Sequence, residues 1–291
     1  MASTPPAFRA KLGPPMTSAL EHRRHPPHPA LRGWVECLWT LKGRAGAAAP
    51  EPVLPDGRME VVLHRGDPFA RLAGEGKAEL QPRALVAGQL DRALLLRPGA
   101  VVDVVGIRFT PAGAAAFIEE PLRRLAGETP ELAAIAGALG RELENEVLAA
   151  EGADDPVRRA GQVLLRRAGR LPAGPSRDPV SGCVEEILAR RGQVGMGRLA
   201  DLAGWSLRHL ERRFADRVGL DPRSFARIIR FRSIFEALAR DPAAPWVSIA
   251  LDCGYCDQSH MIREFRRFAG TTPPAWVASG HRLAGLFLQP S

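Results

Sequence analysis

Lysine is nearly missing: only Lys11, Lys42 and Lys77 occur in 291 residues, so almost all of the 40 basic side chains are arginine. No run approaches the roughly 18 consecutive apolar residues that a membrane-spanning helix needs, and the opening stretch MASTPPAFRAKLGPPMTS lacks the apolar stretch of a secretory signal. Four cysteines (Cys37, Cys183, Cys253 and Cys256) are too few for a disulfide framework in a chain of this length. No phosphate-binding Gly-rich loop, nucleophile elbow, zinc-deaminase pattern or clustered acidic pair is present. These absences leave an enzyme reading without a motif. They predict a soluble, cytoplasmic protein with no membrane association, no cofactor and no metal.

What is there is globular: 45% hydrophobic and 25% charged residues, with a net charge of +8. Arginine's planar fork suits phosphates and guanine edges, which brings nucleic acid forward as a partner. The excess leans towards the C-terminal part, where residues 176–291 carry 17 arginines against 12 acids.

The texture changes along the chain. Residues 1–30, rich in Pro and His (EHRRHPPHPA), read as a disordered tail, with His22, His25 and His28 belonging to a proline-broken segment rather than to a metal site. From 31 to 110 the short β-branched and aromatic runs WVECLWTL, RMEVVLH and AVVDVVGIRF, punctuated by PDG, RGDP and RPG, predict a small antiparallel barrel or sandwich. Residues 111–170 turn helical, and LPAGPSRDP (171–179) has a linker's composition. The remainder, 180–285, reads as all helix.

That last part repeats itself. WSLRHLERRFADRVGLDPRSF (205–225) aligns with CDQSHMIREFRRFAGTTPPAW (256–276) at an offset of 51, matching His209 with His260, Arg212 with Arg263, Phe214 with Phe265, Gly219 with Gly270 and Pro222 with Pro273. Upstream, Ala200 and Gly204 match Ala250 and Gly254 at an offset of 50. Each copy has a helix, a glycine suited to a left-handed turn, an N-cap (Ser206, Asp257) and a second helix with an apolar and an Arg-rich face. Leu207, Leu210, Phe214 and Val218 form the predicted buried face of the first copy, and Met261, Phe265 and Phe268 that of the second. The unit is a helix-turn-helix, present twice.

The segments LADLAGWSLRHLERRFADRVGLDPRSFARIIRFR and SIALDCGYCDQSHMIREFRRFAGTTPPAW resemble the DNA-binding domain of the AraC/XylS family of bacterial transcription regulators. The resemblance implies two helix-turn-helix subdomains joined by a long helix over Pro222–Arg240, roughly 28 Å long at 1.5 Å per residue. It implies double-stranded DNA as partner. It places Arg208, Glu211 and Arg212 on the outward face of the first recognition helix, and Gln258, Ser259, His260, Ile262 and Arg263 on that of the second. Arg213, Arg266 and Arg267 are expected at phosphates. The chain departs from the family at Ile234 and Ala237, whose sizes look exchanged, and at Met261, which replaces a usual Phe.

The resemblance also places an uncharacterised N-terminal module ahead of the DNA-binding domain, compatible with a small cupin-like β-barrel followed by helices; the fold class expected is thus two-domain α+β. Such a domain allows a small-molecule effector, with Trp34, Trp39, Met59, Phe69 and Arg108 as candidate contacts, and His64 too isolated for a multi-histidine metal site. RNA polymerase and a second copy, through residues 131–170, are further partners it allows. Cys253 and Cys256 read as structural; the alternative is a thiol-responsive DNA-binding regulator.

Overall fold

The computed structural model describes residues 20–45, 49–72, 77–151, 154–171 and 178–279. Among the described residues, nine strands form two antiparallel sheets. The first has the order β1 (Glu21–His25), β2 (Val35–Arg44), β9 (Val101–Phe109), β4 (Glu60–His64), β7 (Ala84–Ala87). The second has β3 (Glu51–Val53), β8 (Leu94–Arg97), β5 (Ala70–Leu72), β6 (Ala78–Leu80). The two sheets remain separate, so of the barrel or sandwich expected from the strand pattern the cupin-like barrel is corrected to a two-sheet arrangement.

The tail expectation also changes. Residues 1–19 and most of the linker lie outside the described residues, but β1 pairs with β2 from Glu21↔Lys42 to His25↔Leu38. His22 lies 5.9 Å from Trp39, ring centre to ring centre, and His28 Nδ1 accepts the Ala30 N–H at 3.2 Å, capping the 3-10 turn Pro29–Leu31. Those histidines serve the edge of the sheet.

Strand alternation assigns the two faces of the first sheet. Leu38, Val61, Leu63, Val105, Ile107 and Phe109 face the helices α1 (Leu132–Leu143) and α2 (Pro156–Ala168), with a π-helical turn (Glu144–Leu148) between them, and meet Leu139, Leu143, Val147, Val163 and Leu164 in one core. Cys37, Trp39, Leu41, Val102 and Val104, on the opposite parity, pack with Phe69 and Leu96 of the second-sheet side. Trp34 and Met59, taken as ligand candidates, belong to the helix-side core instead.

The C-terminal part runs α3 (Pro179–Ala189), α4 (Met196–Ala203), α5 (Leu207–Val218), α6 (Pro222–Arg240), α7 (Trp246–Asp252), α8 (Gln258–Ala269) and α9 (Pro273–Ser279). Helix α6 has the bounds expected for the connecting helix. It is buried along most of its length because both units use it as their core. Phe225 meets Phe214 of α5 at 5.6 Å, and Phe231 meets Phe265 at 5.2 Å and Phe268 at 5.1 Å on α8. Ile234 and Ala237, the positions with exchanged sizes, are both accommodated in this core.

The N-terminal domain docks on the same helices. Leu54 and Ala112 belong to the helical core, Arg123 pairs with Asp216 at the end of α5, and Arg232 Nη1 donates to the Asp56 carbonyl at 3.2 Å.

Candidate nucleic-acid interface

Both recognition helices are built by the same local devices. Ser206 Oγ accepts the His209 N–H at 3.3 Å, and Asp257 Oδ1 accepts the His260 N–H at 2.7 Å, so both N-caps are where the repeat put them. The turn glycines Gly204 and Gly254 have φ of 68° and 75°, and Gly219 and Gly270, which end α5 and α8, have φ of 95° and 73°. All four sit in the left-handed region, where a side chain is strained. The periodicity of the repeat is therefore a periodicity of backbone geometry.

Arg208, Glu211, Arg212 and Arg213 on α5, and Gln258, Ser259, Arg263, Arg266 and Arg267 on α8, are all solvent-exposed. His260 and Ile262 are half-buried: His260 lies edge-on to Tyr255 at 5.3 Å, and Ile262 packs on the helical core. The apolar face of the second copy is as expected. In the first copy Leu207 is 49% exposed, because it opens the helix and the first turn swings clear of the core that buries Leu210, Phe214 and Val218.

Sequence reasoning missed two features. Glu264 is 6% exposed on the inner side of α8 and accepts from Arg227 Nε at 2.5 Å. Arg223, Arg227 and Arg230 then line, beside His260 and Glu264, a groove of about 420 Å³ between the two units. Arg230 lies 5.5 Å from the Tyr255 ring centre and reaches the Gly254 carbonyl at 3.5 Å, tying α6 to the second turn. The i, i+4, i+7 arginine spacing on α6 was the available signal.

Cys253 is buried and Cys256 exposed. Burial pushes the Cys253 thiol above its ordinary pKa, which suppresses the thiolate that oxidation needs. Mild peroxide treatment is expected to leave DNA affinity unchanged; an affinity loss reversed by dithiothreitol would revive the thiol-sensor reading.

A second candidate site lies between the sheets: a cavity of about 90 Å³ with Trp39, Phe69 and Arg108 in its lining, three of the five residues named from the sequence. Strand parity turns Glu60, Val62 and His64 of β4 and Arg108 of β9 towards it. Arg108 is 6% exposed and all three of its nitrogens are engaged, by Glu36 at 3.2 Å, by Glu60 at 2.5 Å and by Asp56. Burial, opposed by Arg108 and reinforced by the neighbouring carboxylates, raises Glu60 to about 7.

His64 is 0% exposed, and burial lowers its pKa to about 4, against a smaller favourable contribution from nearby Gln81. Neither ring nitrogen makes a hydrogen bond of ordinary geometry. A histidine with a depressed folded pKa stabilises the fold above its unfolded value of 6.5, and that contribution is lost as pH falls towards 4. Urea titrations are expected to show that wild type loses more stability than His64→Gln over that window; equal pH dependence in the two proteins would contradict the assignment.

Residues 23–131 match the family described as a domain of unknown function (DUF6597), and residues 199–279 match the helix-turn-helix domain family. No curated protein matches the chain in sequence. Among solved structures, ToxT from Vibrio cholerae is similar at 8% identity and a TM-score of 0.42, covering 90% of this chain and 98% of that one. Unsaturated fatty acid-bound wild-type ToxT from Vibrio cholerae strain SCE256 is similar at 8% identity and 0.40, covering 91% and 96%. The AraC-like transcriptional activator CuxR is similar at 13% identity and 0.26, covering 80% and 89%. With its duplicated, capped and glycine-turned units, the C-terminal part of the chain carries a domain of the helix-turn-helix family over residues 199–279, preceded by a domain of unknown function over residues 23–131.

Proposed function

We propose that the chain is a sequence-specific regulator that sets α5 and α8 into adjacent major-groove segments of one duplex, under the control of an N-terminal effector domain. The observation that carries this reading is the duplication itself: two recognition helices with matching caps and turns stand on one connecting helix, each with an exposed Arg-rich face. A 19-residue α6 is about 28 Å long, comparable with the ~34 Å repeat of B-DNA.

In this reading Arg212 and Arg263 take guanine edges, Arg208 and Gln258 add base or backbone contacts, and Glu211 accepts from cytosine. Ser259, His260 and Ile262 border the same face. Arg213, Arg266 and Arg267 hold phosphates. No described helix is long and apolar enough to cross a membrane, which suits a chain working on DNA. The docking of the N-terminal domain on α5 and α6 supports control from that side.

Arg263→Ala is expected to weaken operator binding by roughly 1–3 kcal/mol and to relax preference at one base position. Fluorescence anisotropy on the operator and on single-base variants reads this directly. Equal loss on every sequence, with a shallower salt dependence, would make Arg263 a phosphate contact; no loss on any sequence would remove it from the interface.

A further inference from the structure

We infer that the cavity between the two sheets is a binding site for a small, uncharged, mainly apolar molecule bearing one hydroxyl or amide group, and that its occupancy is passed to α6 through residues 54–58. The inference rests on the regulator reading above and specifies the ligand class and the route of control.

The ligand class follows from the lining. Trp39, Phe69, Val62, Leu94 and Val104 make its walls apolar. The charged end is already matched: Arg108 is held by Glu36, Asp56 and Glu60, Arg58 by Glu36, and Arg24 donates to Glu36 at 3.1 Å. An anion would have to displace a buried carboxylate, and a cation would meet guanidinium groups, so neither sign of charge is favoured. His64 lines the cavity with neither ring nitrogen in a hydrogen bond of ordinary geometry, and with Gln81 as its polar neighbour there. As a neutral ring it offers one donor and one acceptor, the complement of a hydroxyl or an amide. An apolar cavity of ~150 Å³ holds benzene, so about 90 Å³ suits a molecule of roughly four non-hydrogen atoms.

The route follows from one short segment serving two surfaces. Leu54 lines the cavity and also belongs to the core around α6. The Asp56 carboxylate holds Arg108 at the cavity wall, while its carbonyl accepts from Arg232 of α6 at 3.2 Å. Between these contacts Gly57, at φ +78°, lies so close to α6 that a Cβ would come 2.8 Å from the Phe225 ring and 3.2 Å from the Ile229 methyl. The cavity wall is thereby seated on the helix that carries both DNA-reading units. A molecule that shifts Leu54 or the Asp56–Arg108 pair shifts the seat of α6.

The test uses the full-length chain with ¹⁵N-labelled tryptophan, the Trp39 indole signal assigned through Trp39→Phe. 2-Propanol and acetamide are titrated against the charged isopropylammonium and acetate, all four probes having four non-hydrogen atoms. The neutral pair is expected to shift the Trp39 signal saturably, the charged pair to leave it in place, and saturation to change operator affinity about fivefold or more. Arg232→Ala is expected to keep the Trp39 shift and lose most of the affinity change. Absence of a saturable shift with either neutral probe, or equal binding of a charged one, overturns the ligand assignment. A saturable shift with unchanged operator affinity, or undiminished coupling in Arg232→Ala, overturns the route. A chain that selects no operator would defeat the regulator reading instead, and the Trp39 titration would still report on the cavity.

Discussion

Arg108→Ala is expected to destabilise the folded chain by about 3–5 kcal/mol, because it strips the shared cation from buried carboxylates. The Arg108 side chain is 7% exposed, and the side chains of Glu36, Asp56 and Glu60, which it holds, are between 10% and 13% exposed. With the guanidinium gone, Arg58 still serves Glu36, but Asp56 and Glu60 lose their partner at Arg108 inside a wall that water barely reaches. The net worth of such a buried cluster is small; the cost arises from breaking it on one side. Arg108→Lys is therefore expected to fall between wild type and alanine, since one ammonium supplies charge without the planar fork that serves three acceptors. Urea denaturation of the three proteins measures this. A loss below about 1 kcal/mol in Arg108→Ala would mean that the carboxylates become protonated or hydrated at little cost.

Phe231→Ala is expected to cost a similar 3–5 kcal/mol, but in the other half of the molecule. Phe231 is 0% exposed and meets Phe235, Phe265 and Phe268 at ring separations of 5.1–5.2 Å. It is the point where α6 grips α8. Removing the ring leaves a cavity lined by other aromatic rings, whose rigid planes close over a void poorly. The second unit is then expected to lose its fixed placement relative to the first. If the two helices read DNA as proposed, the contacts assigned to Arg263 should weaken before those assigned to Arg212 do. Hydrogen exchange along α8, compared with α5, reads the asymmetry; uniform loosening of both helices would show that Phe231 supports the whole domain equally.

The parts of this architecture that were legible in the sequence are those encoded locally. A helix-turn-helix writes its turn as a glycine, its second helix as an N-cap followed by a 3.6-residue period, and its duplication as a repeated spacing. Ser206, Asp257, Gly204 and Gly254 carried that signal, and α6 has the expected bounds at Pro222 and Arg240. The β domain encodes its essentials non-locally. Arg108 meets Glu36 across 72 positions and Asp56 across 52, and no window of sequence holds both partners. Two open sheets and a closed barrel also draw on the same short alternating strands; pairing decides between them, and pairing is not a local property. The segment EHRRH was hidden for a different reason: surrounding prolines suggested a tail, whereas β1 needs only backbone pairing to β2. Leu207 was misassigned because helical periodicity does not say where along the helix the core begins.

The central claim is that two recognition helices read one site together. The direct measurement is selection of genome fragments by the purified full-length chain, followed by hydroxyl-radical footprinting and a salt titration on the best site. The account predicts protection on one face over two successive helical turns, with affinity at least about 10³-fold above that for random DNA. Protection confined to a single turn, or uniform weak binding that disappears with salt on every sequence, would contradict it.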